Sequence, residues 1–471
     1  MPPTARSAAI ASPDSLLKIA VVGHTNTGKT SLLRTLTRDP AFGEVADAPG
    51  TTRRVEGVRL AAGPDAAIEW YDTPGMEDSI ALLEYLERLD GMGSRADGPA
   101  RIRRLLDAPE ARGRFEQEAR VLAKLLDCDA ALYVIDARDP VLGKHRDELA
   151  VLAWCGRPLL PVLNFVRAPA HRTQAWREAM ARLGLHAVLE FDTVAPPLDG
   201  EQRLYDRLGV LLDRHAAMLA RLADALARQR AQRRAEACRL AAELLVDAAA
   251  LRLDSDSDDA AMAQATETLR QRVRDREQAC AQALLALYNF RRGDYAEDAL
   301  PLAGERWGMD LFHPQALKDM GVQVGIGAAA GAMAGAAVDL FTGGLSLGAG
   351  MLVGAAAGGL WQGVERLGGR IAGRLRGRRE LSVDDAVLRL LALRQRQLIQ
   401  ALEQRGHAAR APLRLDQPAD DAWRSGTLPD ALVEARSRPE WSALNARFED
   451  DDRRRRKVAE LAGVLGPAQS L

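Results

Sequence analysis

The sequence predicts a three-layer α/β domain with a mostly parallel sheet, followed by a mainly α-helical C-terminal region containing a long helical hairpin. Three observations carry this. From Leu16 to about Pro197, short, nearly continuous apolar runs alternate with helical patterns, as in parallel sheets covered on both faces. A Gly-bearing loop joins the first run to the first helical stretch. From Val210 through Arg292 there is neither Gly nor Pro, which marks long helices.

Residues 1–14 lack an apolar core and read as a loose tail, not a signal peptide. The strands follow as LLKIAVVG (16–23), AAIEWYD (66–72), AALYVID (130–136), PLLPVLNF (158–165) and HAVLEF (186–191), with 53–62 as an antiparallel edge strand. The stretch between Met76 and Leu126 reads as a solvated loop and helix. Beyond it, Leu204, Leu208, Leu211, His215, Met218 and Leu222 fall on one helical stripe. The polar break DSDSDD (254–259) divides the Gly-free stretch into two arms, about 65 and 45 Å long at 1.5 Å per residue, and is expected to be the hairpin turn. The expected organisation is a tail (1–14), an α/β domain (15–198), a long helical hairpin (199–319), a Gly/Ala-rich hairpin with a basic run (320–380) and a C-terminal helical region (381–471).

Charge is balanced, with 64 basic against 65 acidic residues, so no global field favours nucleic acid. The four cysteines, Cys128, Cys155, Cys238 and Cys280, form no C-x-x-C pair and suggest neither disulfides nor zinc. DSDSDD fails as a calcium loop, because Asp259 stands where Gly is needed and Ala265 where Glu is needed.

GHTNTGKT (23–30) fits G-x-x-x-x-G-K-[ST] between a strand and a helix, so the domain reads as a P-loop NTPase. Gly23 and Gly28 let backbone N–H groups turn toward phosphates, and His24, Thr25, Asn26, Thr27 and Ser31 complete the binding stretch. Lys29 brings a cation to the outer phosphates, and Thr30 offers its hydroxyl to Mg2+. DTPG (72–75) follows the third run: Asp72 is the second candidate for Mg2+, and Gly75 can turn its N–H toward the terminal phosphate. In PGTTR (49–53), Thr52 is the preferred residue to complete the magnesium shell. Lys29, Thr52 and Gly75 are the candidates for the catalytic step.

GHTNTGKTSLL, PGTTR, DTPG and LYVIDARDP (132–140) resemble the bacterial GTPases of the TrmE–Era–EngA type, and the whole arrangement resembles bacterial GTPases that carry a C-terminal domain of unknown function. The resemblance implies hydrolysis of GTP to GDP and phosphate as a conformational switch. It also implies a potassium ion held by Asn26, for which turn-forming preference is the alternative. Guanine reading by N-K-x-D is only partly matched: Asn164 is present, but Phe165 replaces Lys and Arg167 replaces the base-pairing Asp. An arginine cannot accept hydrogen bonds from guanine. Met76 stands where Ras-like switches carry a water-orienting Gln.

Two apolar spans flank Asp339, with Gly327, Gly331, Gly335 and Gly350, Gly354, Gly358 in glycine-zipper spacing. With the basic run after them, residues 320–361 read as a hairpin in the inner membrane, placing the protein at its cytoplasmic face. A buried hairpin in a soluble domain is the competing reading. Expected partners are GTP and GDP, that membrane and a protein effector. A soluble nucleotide-dependent scaffold with negligible hydrolysis, or a ribosome- or RNA-linked assembly GTPase, stands as the alternative.

Overall fold

The computed structural model describes residues 16–38, 42, 55–61, 67–89, 97–290, 302–303, 306–307, 309–322, 338–340, 378–404, 421–424 and 427–466. The chain divides into two compact units, the first essentially residues 1–231 and the second most of the remainder.

In the first unit, six strands form one sheet in the order β2-β3-β1-β4-β5-β6. They are β1 (Leu16–Val22), β2 (Glu56–Ala61), β3 (Ala67–Asp72), β4 (Ala130–Asp136), β5 (Leu159–Asn164) and β6 (Leu189–Glu190). All pairings are parallel except β2 with β3, the expected antiparallel edge. Strand residues alternate between two cores. Ala20, Val22, Tyr133 and Ile135 meet α2 (Ser79–Leu89), α3 (Gly98–Asp107), α4 (Glu116–Asp127), α5 (Gly143–Ala153) and α6 (Thr173–Arg182) through Leu86, Leu105, Leu122, Leu149 and Trp176. Leu17, Ile19, Val21, Leu132 and Val134 meet α1 (Lys29–Thr37), α7 (Gly200–Leu211) and the start of α8 (Ala216–Ala250) through Leu33, Leu204, Leu208 and Leu222. Each fully buried aliphatic side chain contributes about 1.5–3 kcal/mol, so the period-2 pattern fixes the register of the sheet. The segment expected as solvated loop and helix is largely α2, α3 and α4, closed into the first of these cores.

The single helical stripe over 204–222 is a correction. The chain leaves the helix at Leu212, with φ −125° and ψ 66°, makes a 3-10 turn over Asp213–His215 and starts again at Ala216. Leu204, Leu208, Met218 and Leu222 still share one core, from two helices. Packing on the sheet overrides helix propensity there. α8 is consequently 35 residues, about 52 Å, and α9 (Asp259–Leu287) is 29 residues, about 44 Å.

In the second unit, DSDSDD is more than a turn. Leu253–Asp256 forms β7, antiparallel to β11 (Arg378–Val383), which pairs in turn with β10 (Val338–Leu340). The following Asp258 accepts from Ala261 N and caps α9. Two short strands, β8 (Leu302–Ala303) and β9 (Arg306–Trp307), pair with each other. The core of the unit includes helix Asp385–Gln404, buried along most of its length, and Trp441. Asp247, 1% exposed, ties several segments together: it accepts from Arg276 Nε at 2.8 Å, Arg454 Nη2 at 3.0 Å and Ala443 N at 3.1 Å. Apart from residues 320–322 and Val338–Leu340, the Gly/Ala-rich segment lies outside the described residues; Val338–Leu340 is strand where a helical hairpin was expected. Among the described residues no helix is long and apolar enough to cross a membrane.

Candidate nucleotide site

The loop between β1 and α1 needs its glycines. At Gly23 φ is +141°, and a Cβ there would stand 2.5 Å from Val134 O. At Gly28 φ is +91°, and a Cβ would stand 2.3 Å from Asn164 Nδ2. Asn26 adopts φ +62°, a left-handed turn that Asn tolerates better than most residues. This backbone curls around the side chain of Lys29, whose Nζ donates to Gly23 O at 3.1 Å and His24 O at 2.7 Å. Thr27 Oγ1 also donates to His24 O, at 3.1 Å. α1 starts at Lys29 with no acidic residue in its first turn, so its positive end is uncancelled. Burial lowers the Lys29 pKa, and the charges of Asp72 and then Glu148 oppose that shift.

Asp72 closes β3 beside β1 and is 0% exposed. Thr30 Oγ1 donates to its Oδ2 at 2.5 Å. Its Oδ1 is buried without a partner. Burial raises the carboxyl to about 6, against the Thr30 hydrogen bond and the Lys29 charge. The chain then runs along the phosphate loop. Met76 N donates to Gly23 O at 3.4 Å, and His24 and Met76 form a parallel bridge. A Cβ at Gly75 would stand 2.7 Å from Thr25 N and Cα, so only glycine permits this approach. Gln117 Nε2 donates to Gly75 O at 2.7 Å, and Glu118 Oε1 accepts from the N–H groups of Glu77 and Asp78 at 3.1 Å each. Met76 itself is buried in the core.

Asn164 closes β5 and is 0% exposed. Its Nδ2 donates to Thr27 O at 3.0 Å, while its Oδ1 accepts from Phe165 N and Thr193 N, both at 2.9 Å. Phe165 takes φ +56°, and its ring lies 4.0 Å from the Arg138 guanidinium, which itself pairs with Asp136. The exposed Arg167 donates its backbone N–H to Asp192 Oδ2 at 3.0 Å. Asp192 Oδ1 takes the N–H groups of Val194 and Ala195. That carboxylate therefore shapes its own loop.

Gly23, His24, Thr25, Asn26, Thr27, Gly28, Lys29, Thr30, Ser31, Asp72, Gly75 and Asn164 thus gather where β1, β3 and β5 end. Thr52 lies outside the described residues. Gln117, Glu118 and Glu148 were missed from the sequence. Glu148 carried a readable signal: an acid at i+3 from His145 on the buried stripe of α5.

A loop of this shape ahead of a helix defines the P-loop nucleotide-binding class. Residues 18–165 match the family described as 50S ribosome-binding GTPase. Residues 177–463, more than half of the chain, match the family described as domain of unknown function (DUF3482), and the chain belongs to that family. Among solved structures, it is similar to Aquifex aeolicus Era bound to GDP.AlF4-, at 17% identity over 38% of this chain and 52% of that one, TM-score 0.29. It is also similar to Era in complex with MgGDPNP and part of 16S ribosomal RNA, at 16% identity over 38% and 51%, TM-score 0.29. The G domain of the T. maritima FeoB iron transporter aligns at 19% identity over 42% of this chain and 98% of that one, TM-score 0.24. The chain spans about half the length of the two Era chains. Curated protein sequences offer no match. The chain thus carries a domain that matches a GTPase family ahead of its DUF3482 region.

Proposed function

We propose that the protein is a GTP-driven conformational switch acting at the cytoplasmic face of the inner membrane. The observation that carries the switch is the seam between the phosphate loop and residues 72–79. Asp72 bonds Thr30, Met76 pairs with Gly23, and Gly75 lies against Thr25. Anything that moves the loop or draws on Asp72 therefore acts on the start of α2.

The residues present fit Mg2+. Asp72 Oδ1 is a buried acceptor without a partner, and Thr30 Oγ1 sits on the other oxygen of the same carboxylate. Thr30, Asp72 and Thr52 are the residues that would hold the ion, which when bound supplies positive charge to the phosphate oxygens. Lys29 and the loop amides bind the phosphates, and Gly75 senses the terminal one. Asn26 is the residue for a potassium ion, and hydrolysis is stimulated by K+ over Na+; equal turnover in the two salts refutes that role. At the base, Asn164 shapes the loop, and the Phe165–Arg138 pair replaces the usual lysine. Competition of GTP with ATP and XTP measures the selectivity this leaves.

The membrane role rests on the apolar spans within 320–361 and the basic run after them. Phosphate release by purified protein, hydrogen exchange over residues 72–89 in GTP and GDP states, and flotation with anionic vesicles test the proposal together. Identical exchange in both states removes the switch, and failure to float with vesicles removes the membrane. Lys29→Ala is expected to abolish nucleotide binding, read by loss of fluorescent GDP titration.

A further inference from the structure

A buried carboxyl lies behind the phosphate loop. Glu148, on α5, is 0% exposed. Its Oε2 accepts from the Tyr133 hydroxyl on β4 at 3.2 Å. The same oxygen lies 4.0 Å from Nδ1 of His24 in the loop. On the other side of the imidazole, Lys144 Nζ is 2.9 Å from Nε2. An ammonium only donates, so Nε2 accepts, and the proton of the neutral ring sits on Nδ1, the atom nearest Glu148.

Two buried polar atoms at this junction have no hydrogen-bond partner: His24 Nδ1 and Glu148 Oε1. A withdrawn N–H left unbonded is costly, and contraction by roughly 1 Å would bring Nδ1 within bonding distance of the carboxyl. The anchor side belongs to the sheet and its core: Tyr133 lies in the central sheet, and the His145 ring is 4.9 Å from that of Trp176, tilted against it. The loop side is His24, whose carbonyl holds Lys29 Nζ and whose backbone bridges to Met76.

We propose that Glu148 is a positioning residue for GTP hydrolysis: through the His24 Nδ1–H it holds the phosphate loop from behind and so sets where the Gly23 and His24 carbonyls place Lys29. This rests on the loop being the GTP site. Burial raises the Glu148 carboxyl above its ordinary value, against the Lys29 charge, and its role here is to accept through one oxygen. Glutamine keeps such an oxygen; leucine does not.

The test is a double-mutant cycle in the full chain, reading fluorescent GDP affinity together with KM and kcat for GTP. Glu148→Leu and His24→Ala should each weaken GDP affinity about fivefold and raise KM with kcat within twofold, whereas a mere loss of folded protein lowers apparent kcat at unchanged KM. The double variant should be no weaker than the weaker single one, and Glu148→Gln should stay within twofold of the parent. If Glu148→Leu does not fold, Tyr133→Phe, which keeps the ring and removes one hydroxyl, takes its place in the cycle. Multiplicative losses in the double variant, a Gln variant as weak as Leu, or losses confined to kcat overturn the proposal. If the parent itself binds no GDP, the GTP-site reading fails instead.

Discussion

Asn164 joins β5, the phosphate loop and the loop after β6, and its replacement by alanine is the sharpest available perturbation of that junction. Three hydrogen bonds vanish together: to Thr27 O at 3.0 Å, and from Phe165 N and Thr193 N at 2.9 Å each. At a net 0.5–1.5 kcal/mol per bond, the local loss is about 3 kcal/mol, and the buried setting leaves no solvent to replace them. Phe165 is also held at φ +56°, which a bulky residue adopts only when its surroundings enforce it. Hydrogen exchange of the nucleotide-free protein reads this directly. With each 1.4 kcal/mol worth a factor of ten, the amides of Phe165 and Thr193 should exchange roughly a hundredfold faster in Asn164→Ala. Asn164→Asp keeps an oxygen for both amides but turns the Thr27 contact repulsive, so it should spare the two amides and expose the loop. Parental protection in the Ala variant, or equal loss in Ala and Asp variants, would refute the reasoning.

Asp72 makes two pH trends run in opposite directions. Its folded pKa is raised from 3.8 to about 6, so the protonated form is favoured by folding, and the stability it contributes below pH 3.8 is lost as pH rises through about 6. Magnesium-dependent GTP binding needs the carboxylate, so affinity should rise over that same window; titrations at pH 5 and 7 check this, and Asp72→Asn should flatten both trends. In the second unit, Asp247→Ala takes from the partly buried Arg276 its carboxylate and leaves the buried Arg454 with Asp450 and Trp441 O alone. Breaking such a network costs about 3–5 kcal/mol. Calorimetry should show one transition lowered by about 10 °C, at 2–4 °C per kcal/mol; a shift under about 3 °C would count against the network.

What the sequence determined by itself was the short-range part. Five apolar runs and the loop between Gly23 and Thr30 were readable because strand burial has period two and a phosphate loop needs glycine at fixed places. The pairing of Thr30 with Asp72 followed from motif order, since adjacent parallel strands deliver their C-terminal ends to one edge of the sheet. Tertiary structure alone decided the rest. β7 finds β11 across about 120 residues of chain, with no local signal: Asp256 faces Arg378, but Asp254 faces Glu380. The helix break at Leu212 carries no Gly or Pro; it arises because one apolar stripe had to be divided between two helices to cover the same sheet. Glu148 and His24 are 124 positions apart, and only the packing of α5 under the loop brings a buried acid to a half-buried imidazole. Local periodicity sets which face a residue occupies; what it meets there is fixed when the layers close.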